Sequence, residues 1–185
     1  MAARLTAATG RRTARAILVD ADDRLLLIKR TKPGQAVYWT TPGGGVDDTD
    51  ASIEAAMHRE IAEEMGAEAA GASQVFLNSR PSAAGVAVQH FFVARLTRLD
   101  WSARSDPEFA DPAKGSYELE RIDLHGDDLA SIDLVPVALK KFILANRAAL
   151  LAQVADVGTR PPRPPRGSRS MIPEGFGARN PHNPP

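Results

Sequence analysis

The sequence predicts an α/β fold, a β-sheet packed against helices, and three observations carry that expectation. Stretches such as RTARAILVD (12–20), RLLLIKR (24–30) and VAVQHFFVARL (86–96) are rich in aliphatic and β-branched residues, as strands are. Two further stretches, 51–65 and 136–155, carry apolar residues at helical spacing. The third observation is quantity: a chain of 185 residues, 43% of them hydrophobic, has the material for one domain with a sizeable core.

Taken in order, residues 1–11 read as a flexible N-terminus. The strand over 12–20 meets a turn, Asp20-Ala21-Asp22-Asp23, and the chain returns as a strand over 24–30. Its uninterrupted LLLI run indicates burial on both faces. Arg30 and Lys32 leave this hairpin towards the next loop, where Pro33 and Gly34 forbid regular structure for long. Tyr38-Trp39 then reads either as a packed anchor before a short strand or as a surface for stacking a base. Gly43-Gly44-Gly45 permits backbone conformations closed to other residues and lets main chain approach a ligand closely.

The helix over 51–65 has Asp48, Thr49 or Asp50 to cap its start and Gly66 to stop it. Ile53, Met57, Ile61 and Met65 form an apolar stripe. Glu60, Glu63 and Glu64, at i, i+3 and i+4, share one face at its margin. Like charges at i,i+4 destabilise a helix by about 0.2–0.5 kcal/mol per pair. A hard divalent cation, Mg²⁺ or Mn²⁺, takes oxygen ligands and would turn that cost into a site. The plain alternative is a solvated acidic face. His58 falls beyond the apolar stripe and reads as a surface residue.

Residues 74–77 read as a strand and 78–85 as a turn-rich loop around Pro81. In the strand over 86–96, His90 either donates to a phosphate or is satisfied by hydrogen bonds within the strand. Phe91 and Phe92 point to opposite faces, so one is expected in the core and the other towards substrate. The polar stretch 97–116, broken by Pro107 and Pro112, has the length of a functional lid. Trp101, Arg104, Glu108 and Phe109 are its candidate substrate contacts. A closing strand over 117–124 precedes the amphipathic helix over 136–155, with Pro136 in its first turn.

The stretch PGGGVDDTDASIEAAMHREIAEEMGA (42–67) resembles the Nudix box of the Nudix hydrolase family, G-x5-E-x7-R-E-U-x-E-E-x-G-U with U aliphatic. Gly45, Arg59, Glu60, Ile61, Glu63, Glu64, Gly66 and Ala67 match, while Ala51 stands where the first glutamate belongs. Anchoring on Gly44 instead brings Asp50 to that place, at the cost of one extra residue before Arg59. The resemblance covers about residues 12–153 and implies an α/β/α sandwich with a mixed sheet between helices. It implies a metal-dependent pyrophosphohydrolase that cleaves the diphosphate bond of a nucleoside diphosphate linked to another moiety. By the same resemblance Mg²⁺ (or Mn²⁺) sits on Glu60, Glu63 and Glu64 with a loop carbonyl, that of Gly45, completing the shell. Arg59 orients a carboxylate or the nearby backbone, and Glu63 or a loop carboxylate takes a proton. In some relatives a further carboxylate comes from the closing strand, here Glu118 or Glu120. Candidate substrate contacts are Arg30, Tyr38, Gly44, His90 and Trp101. The competing reading is a weakly active nucleotide-binding or regulatory Nudix domain, favoured by Ala51. A prenyl diphosphate isomerase on the same fold needs a cysteine, and the chain has none.

Composition bounds the rest. With no cysteine there is no disulfide, thiol nucleophile or thiolate-bound zinc. Formal charge is zero, but residues 159–185 hold five arginines against one acid, so the body carries the balancing negative charge. A mildly acidic body argues against general nucleic-acid binding. No apolar run reaches transmembrane length, and a cytoplasmic monomer or homodimer acting on a nucleotide-derived small molecule is expected. Residues 12–157 are the expected catalytic domain. Residues 158–185, rich in proline and arginine, are too polar to repay the entropy of ordering and are expected to be disordered.

Overall fold

The computed structural model describes residues 9–105, 114–155 and 157. Its centre is strand β2 (Arg24–Thr31). Leu25 and Leu27 project to one side and Leu26 and Ile28 to the other, and all four are at most 2% exposed. That alternation with no polar member requires cover on both faces. Strand β1 (Thr9–Val19) runs antiparallel to β2, yet only Leu18 and Val19 pair with it, opposite Leu26 and Leu25.

Beyond that short ladder the two strands splay apart, and two three-residue strands occupy the gap. Strand β3 (Tyr38–Thr40) pairs along Ile28 to Arg30 of β2, and β4 (Gly43–Gly45) pairs along Thr13 to Arg15 of β1. The outer strands build on this core. Helix α1 (Ile53–Met65) leads into β5 (Ala67–Ser82), which forms a long antiparallel hairpin with β6 (Gly85–Leu99). Strand β6 runs parallel to β1, and β7 (Ser116–Asp123) covers the other edge of β2. A one-turn helix α2 (Asp128–Ser131) precedes β8 (Leu134–Val135), which lies parallel to β3. The result is a curled, mixed eight-stranded sheet with α1 on one face and α3 (Val137–Ala155) on the other.

Each face has its own core. Ile17, Val19, Phe91 and Val93 pack beneath α3 through Leu139, Ile143, Leu150 and Val154. Ala16, Leu18, Phe92 and Ala94 pack beneath α1 through Met57, Ile61 and Met65. Phe91 and Phe92 are therefore both buried, at 0% and 5% exposure, because the sheet is covered twice. The expectation that one of them faces substrate is corrected.

Other boundaries moved for identifiable reasons. Helix α1 is capped by Ser52, whose side chain accepts from the Ala55 N–H, rather than by Asp48, Thr49 or Asp50. Gly66 ends it in the left-handed conformation, as expected. Strand β5 is far longer than 74–77 and absorbs the loop foreseen over 78–85. Its small and polar residues carry no strand signal, and register shifts against β6 hide the alternation. Likewise β6 continues to Leu99, and a single 3-10 turn, Trp101–Ala103, follows. Pro136 lies one residue before α3, and the helix is interrupted at Asn146, whose side-chain amide donates to the Phe142 carbonyl. Glu108 and Phe109, residues 1–8 and the arginine-rich segment 158–185 lie outside the described residues.

Candidate active site

The gap between β1 and β2 opens onto a cavity of about 580 Å³, bounded by β4 on its floor and by α1 at its side. Residues lining it include Glu60, Glu63 and Glu64 of α1, all three glycines of β4, and Arg11, Arg15, Arg30 and Tyr117. The helical register explains the carboxylates. Ile61 and Met65 hold the apolar side of α1 against the sheet, and Glu60 and Glu64 follow one position before each, at the edge of that contact.

Arg59 organises the acidic side. Its Nε and Nη2 donate to the two oxygens of Asp50 at 3.1 and 3.0 Å, a bidentate pair. Nη2 also donates to the Gly45 carbonyl at 2.9 Å, and Nη1 to Glu60 at 2.9 Å and Glu63 at 3.1 Å. One guanidinium thus ties the loop, the helix and the capping turn together. The Asp50 carboxyl, only 7% exposed, lies below the usual carboxylate range chiefly because Arg59 bonds to its ionised form. The Arg59 pKa moves upward for the reciprocal reason, Asp50 first and Glu60 second.

Glycine is required at two places in β4. Gly43 has φ +128°, and a Cβ there would stand 2.2 Å from the Ala14 carbonyl oxygen, so the strand pairing itself excludes a side chain. Its N–H donates to Glu64 at 2.7 Å. A Cβ on Gly44 would meet the Glu60 carboxylate at 2.3 Å. The carboxylate rests directly on backbone.

Whether this donor set suits a hard cation is answered in two parts. Three carboxylates and a carbonyl are the ligand types that Mg²⁺ and Mn²⁺ take, and they line one cavity. Among the described residues, however, no three acidic side chains converge into a ready cage. Arg59 draws in Glu60 and Glu63, and the Gly43 N–H holds Glu64. The donor chemistry fits, with the carboxylates held by protein donors.

The remaining expected contacts divide. Arg30 lines the cavity, its guanidinium 3.5 Å above the Tyr117 ring and donating to the Lys114 carbonyl. Tyr38 lines an adjoining groove beside Lys32, while Trp39 turns the other way, donates to Glu120 at 2.7 Å and packs on the α3-side core. Glu120 is thereby engaged, and Glu118 pairs with Lys29 at 3.6 Å, so neither lines the cavity. His90 bonds to Gln74 at 2.9 Å, and burial, with Arg12 nearby, lowers its pKa. Trp101 packs against the α1-side core, beneath Arg104 at 4.5 Å. Neither His90 nor Trp101 lines the cavity: the first sits in the β5–β6 hairpin bonded to Gln74, and the second follows β6 to the far end of α1.

Sequence reasoning missed Arg11, Arg15, Thr40, Ser105 and Tyr117 as lining residues. Arg15 had a signal: a charge between Ala14 and Ala16, where the strand passes into the aliphatic run Ile17 to Val19. Ser105 had none, being placed by its N–H donating to the Glu63 carbonyl.

The amino-acid sequence matches the NUDIX domain family over residues 9–132, well over half the chain. No curated protein sequence matches it. Among solved structures, a NUDIX hydrolase from Nitrosomonas europaea superposes with TM-score 0.56 at 17% identity, covering 76% of this chain and 90% of that one. The E. coli ORF135 protein gives 0.55 at 21% identity, covering 76% and 93%. The NUDIX domain of Shewanella oneidensis NrtR, solved with ADP ribose, gives 0.54 at 20%, covering 75% and 87%. At such identities these likenesses establish the fold, and the domain match establishes the family. The chain belongs to the Nudix family.

Proposed function

We propose that the protein hydrolyses, with a divalent cation, the diphosphate bond of a nucleoside diphosphate linked to another moiety. The observation that carries this reading is the convergence of Glu60, Glu63 and Glu64 with the β4 backbone on one cavity, under the control of Arg59. Nudix proteins generally use divalent metal ions, and Glu60, Glu63, Glu64 and the Gly45 carbonyl would hold one here, Mg²⁺ or Mn²⁺. Such an ion supplies charge neutralisation for the pyrophosphate oxygens and lowers the pKa of water. Arg59 keeps the carboxylates and loop in register, and Gly44 leaves room for the Glu60 carboxylate to lie against bare backbone at the cavity wall. Glu63, 44% exposed against 13% for Glu60, is the carboxylate open enough to accept a proton. Asp50 pairs with Arg59 where Ala51 supplies no carboxylate, which supports the active reading over that of a weakly active binding module. The bound ADP ribose of the Shewanella NrtR domain supports a nucleotide-derived ligand.

The test is hydrolysis over a panel of nucleoside triphosphates, nucleotide sugars and dinucleoside polyphosphates, with Mg²⁺ and with excess EDTA. Turnover with Mg²⁺, its loss in EDTA, and a fall in kcat of at least about tenfold in Glu60→Gln are expected. Full turnover in EDTA overturns the mechanism.

A further inference from the structure

On β1, one side of the strand presents Thr13, Arg15, Ile17 and Val19 in succession. Ile17 and Val19 are fully buried beneath α3. Two residues earlier the same side carries a guanidinium, because α3 covers only part of that sheet face. Past its edge the face opens as two grooves of about 430 and 410 Å³. Arg15 lines both of them and the glutamate cavity as well, so the three spaces meet at its side chain. Arg11 and Arg30 each line the cavity and one groove, and Arg80 of β5 lines both grooves.

These guanidiniums are not neutralised by the fold. Among the described residues no ion pair involves any of the four, whereas Arg59 meets four carboxylates within 4 Å. Arg15 Nη1 donates to the Thr40 hydroxyl at 3.2 Å and the Thr41 carbonyl at 2.7 Å, which fixes the head. Its Nε, like that of Arg30, is shielded from solvent and has no hydrogen-bond partner. Burial disfavours the charged form of Arg15, with Arg11 adding to that, while Glu64, Glu60 and, more weakly, Tyr38 oppose it. A neutral sugar or base entering here would remove the remaining water and leave that charge without a counter-ion. A phosphate supplies the counter-ion and matches the planar fork of the guanidinium.

We propose that Arg15, with Arg11, Arg30 and Arg80, forms a second anion subsite continuous with the glutamate cavity, which takes a terminal phosphoryl group of the substrate. This inference rests on the diphosphate-hydrolase reading and narrows it. The substrate carries further phosphate beyond the bond that is cut, as a nucleoside triphosphate does, rather than ending in a neutral sugar.

The experiment compares full-length protein with Arg15→Gln, Arg15→Lys and Arg80→Gln. With Mg²⁺, kcat/KM for a nucleoside triphosphate should exceed that for ADP-ribose, and either glutamine variant should reduce that ratio by about tenfold or more, mainly through KM. Arg15→Lys keeps the charge without the fork and should fall between. Arg80→Gln is the control for folding, since Arg80 is exposed and makes no side-chain hydrogen bond or ion pair among the described residues. A wild-type preference for ADP-ribose, or an unchanged ratio in Arg80→Gln together with Arg15→Lys, overturns the proposal. A second measurement needs no turnover: calorimetric binding of inorganic tripolyphosphate to metal-free protein in EDTA, expected for wild type and weakened in both glutamine variants. Equal binding by all proteins overturns the subsite. Binding that the variants lose, with neither nucleotide hydrolysed, supports the subsite and overturns the hydrolase reading instead.

Discussion

Arg59 donates to four side-chain or main-chain groups, and Asp50 is the partner that takes two of its N–H groups at once. Removing that carboxylate leaves the guanidinium free to swing, and Glu60, Glu63 and the Gly45 carbonyl lose their common reference. Asp50→Ala should lower kcat/KM by about 10–100-fold, the range for losing a group that orients ligands. Adding Ala51→Glu to that variant should recover most of the loss, measured by steady-state kinetics; no recovery would mean that Ala51 faces away from Arg59. The pair also sets a pH dependence. Since the folded Asp50 value lies below the ordinary 3.8, its stabilisation is complete above that pH and is lost as pH falls through the folded value. At this scale the sequence was legible for Glu60, Glu63 and Glu64, whose helical spacing fixes their shared side, while the family resemblance pointed to Arg59. It was illegible for Asp50, where two registers of the loop competed, and for Arg15, whose partners lie 25 and 26 residues away.

The short strand β4 shows how two adjacent glycines answer to different demands. A side chain at Gly43 collides with main chain of β1 and requires a left-handed φ, whereas one at Gly44 collides with the Glu60 carboxylate. Gly43→Ala is therefore expected to cost about 1–3 kcal/mol of stability, as residues forced into such conformations do. Gly44→Ala should instead keep its melting temperature and lose at least about tenfold in kcat, since only a side chain must move. Thermal melts and kinetics on the two proteins separate these outcomes. If both variants melt early, Gly44 belongs to the scaffold. Element prediction succeeded where apolar periodicity was strong, in β2, β6 and α1. It failed for β5, whose stability comes from long-range pairing with β6 rather than from its own residues.

For the molecule as a whole, the doubly covered sheet is the main store of stability. Phe91 is fully buried on the α3 side and touches Phe76, which stacks in turn on Phe142. Phe91→Ala should destabilise the protein by about 3–5 kcal/mol, read from urea unfolding, since the cavity left between sheet and helix cannot collapse readily. A loss under about 1 kcal/mol would show that α3 is loosely attached. Cover on both faces of β2 was legible in its LLLI run, while the α/β/α architecture was implied by the family resemblance. The curl of the sheet did not, as it depends on β1 and β2 parting after two residue pairs.

That parting has a consequence for how such a chain can change over generations. The direct pairing of β1 with β2 ends at Leu18 and Leu26, and much of the lining of the opening sits on the splayed ends and on inserts three residues long. Substitutions of lining side chains such as Arg11 and Arg30 alter what is admitted and leave that pairing untouched, whereas Gly43 and Ile28 serve both the opening and the fold. Selection on ligand choice and selection on foldability therefore act on partly separate sets of positions, and a lineage can vary the arginines at this mouth while Gly43 and Ile28 stay fixed.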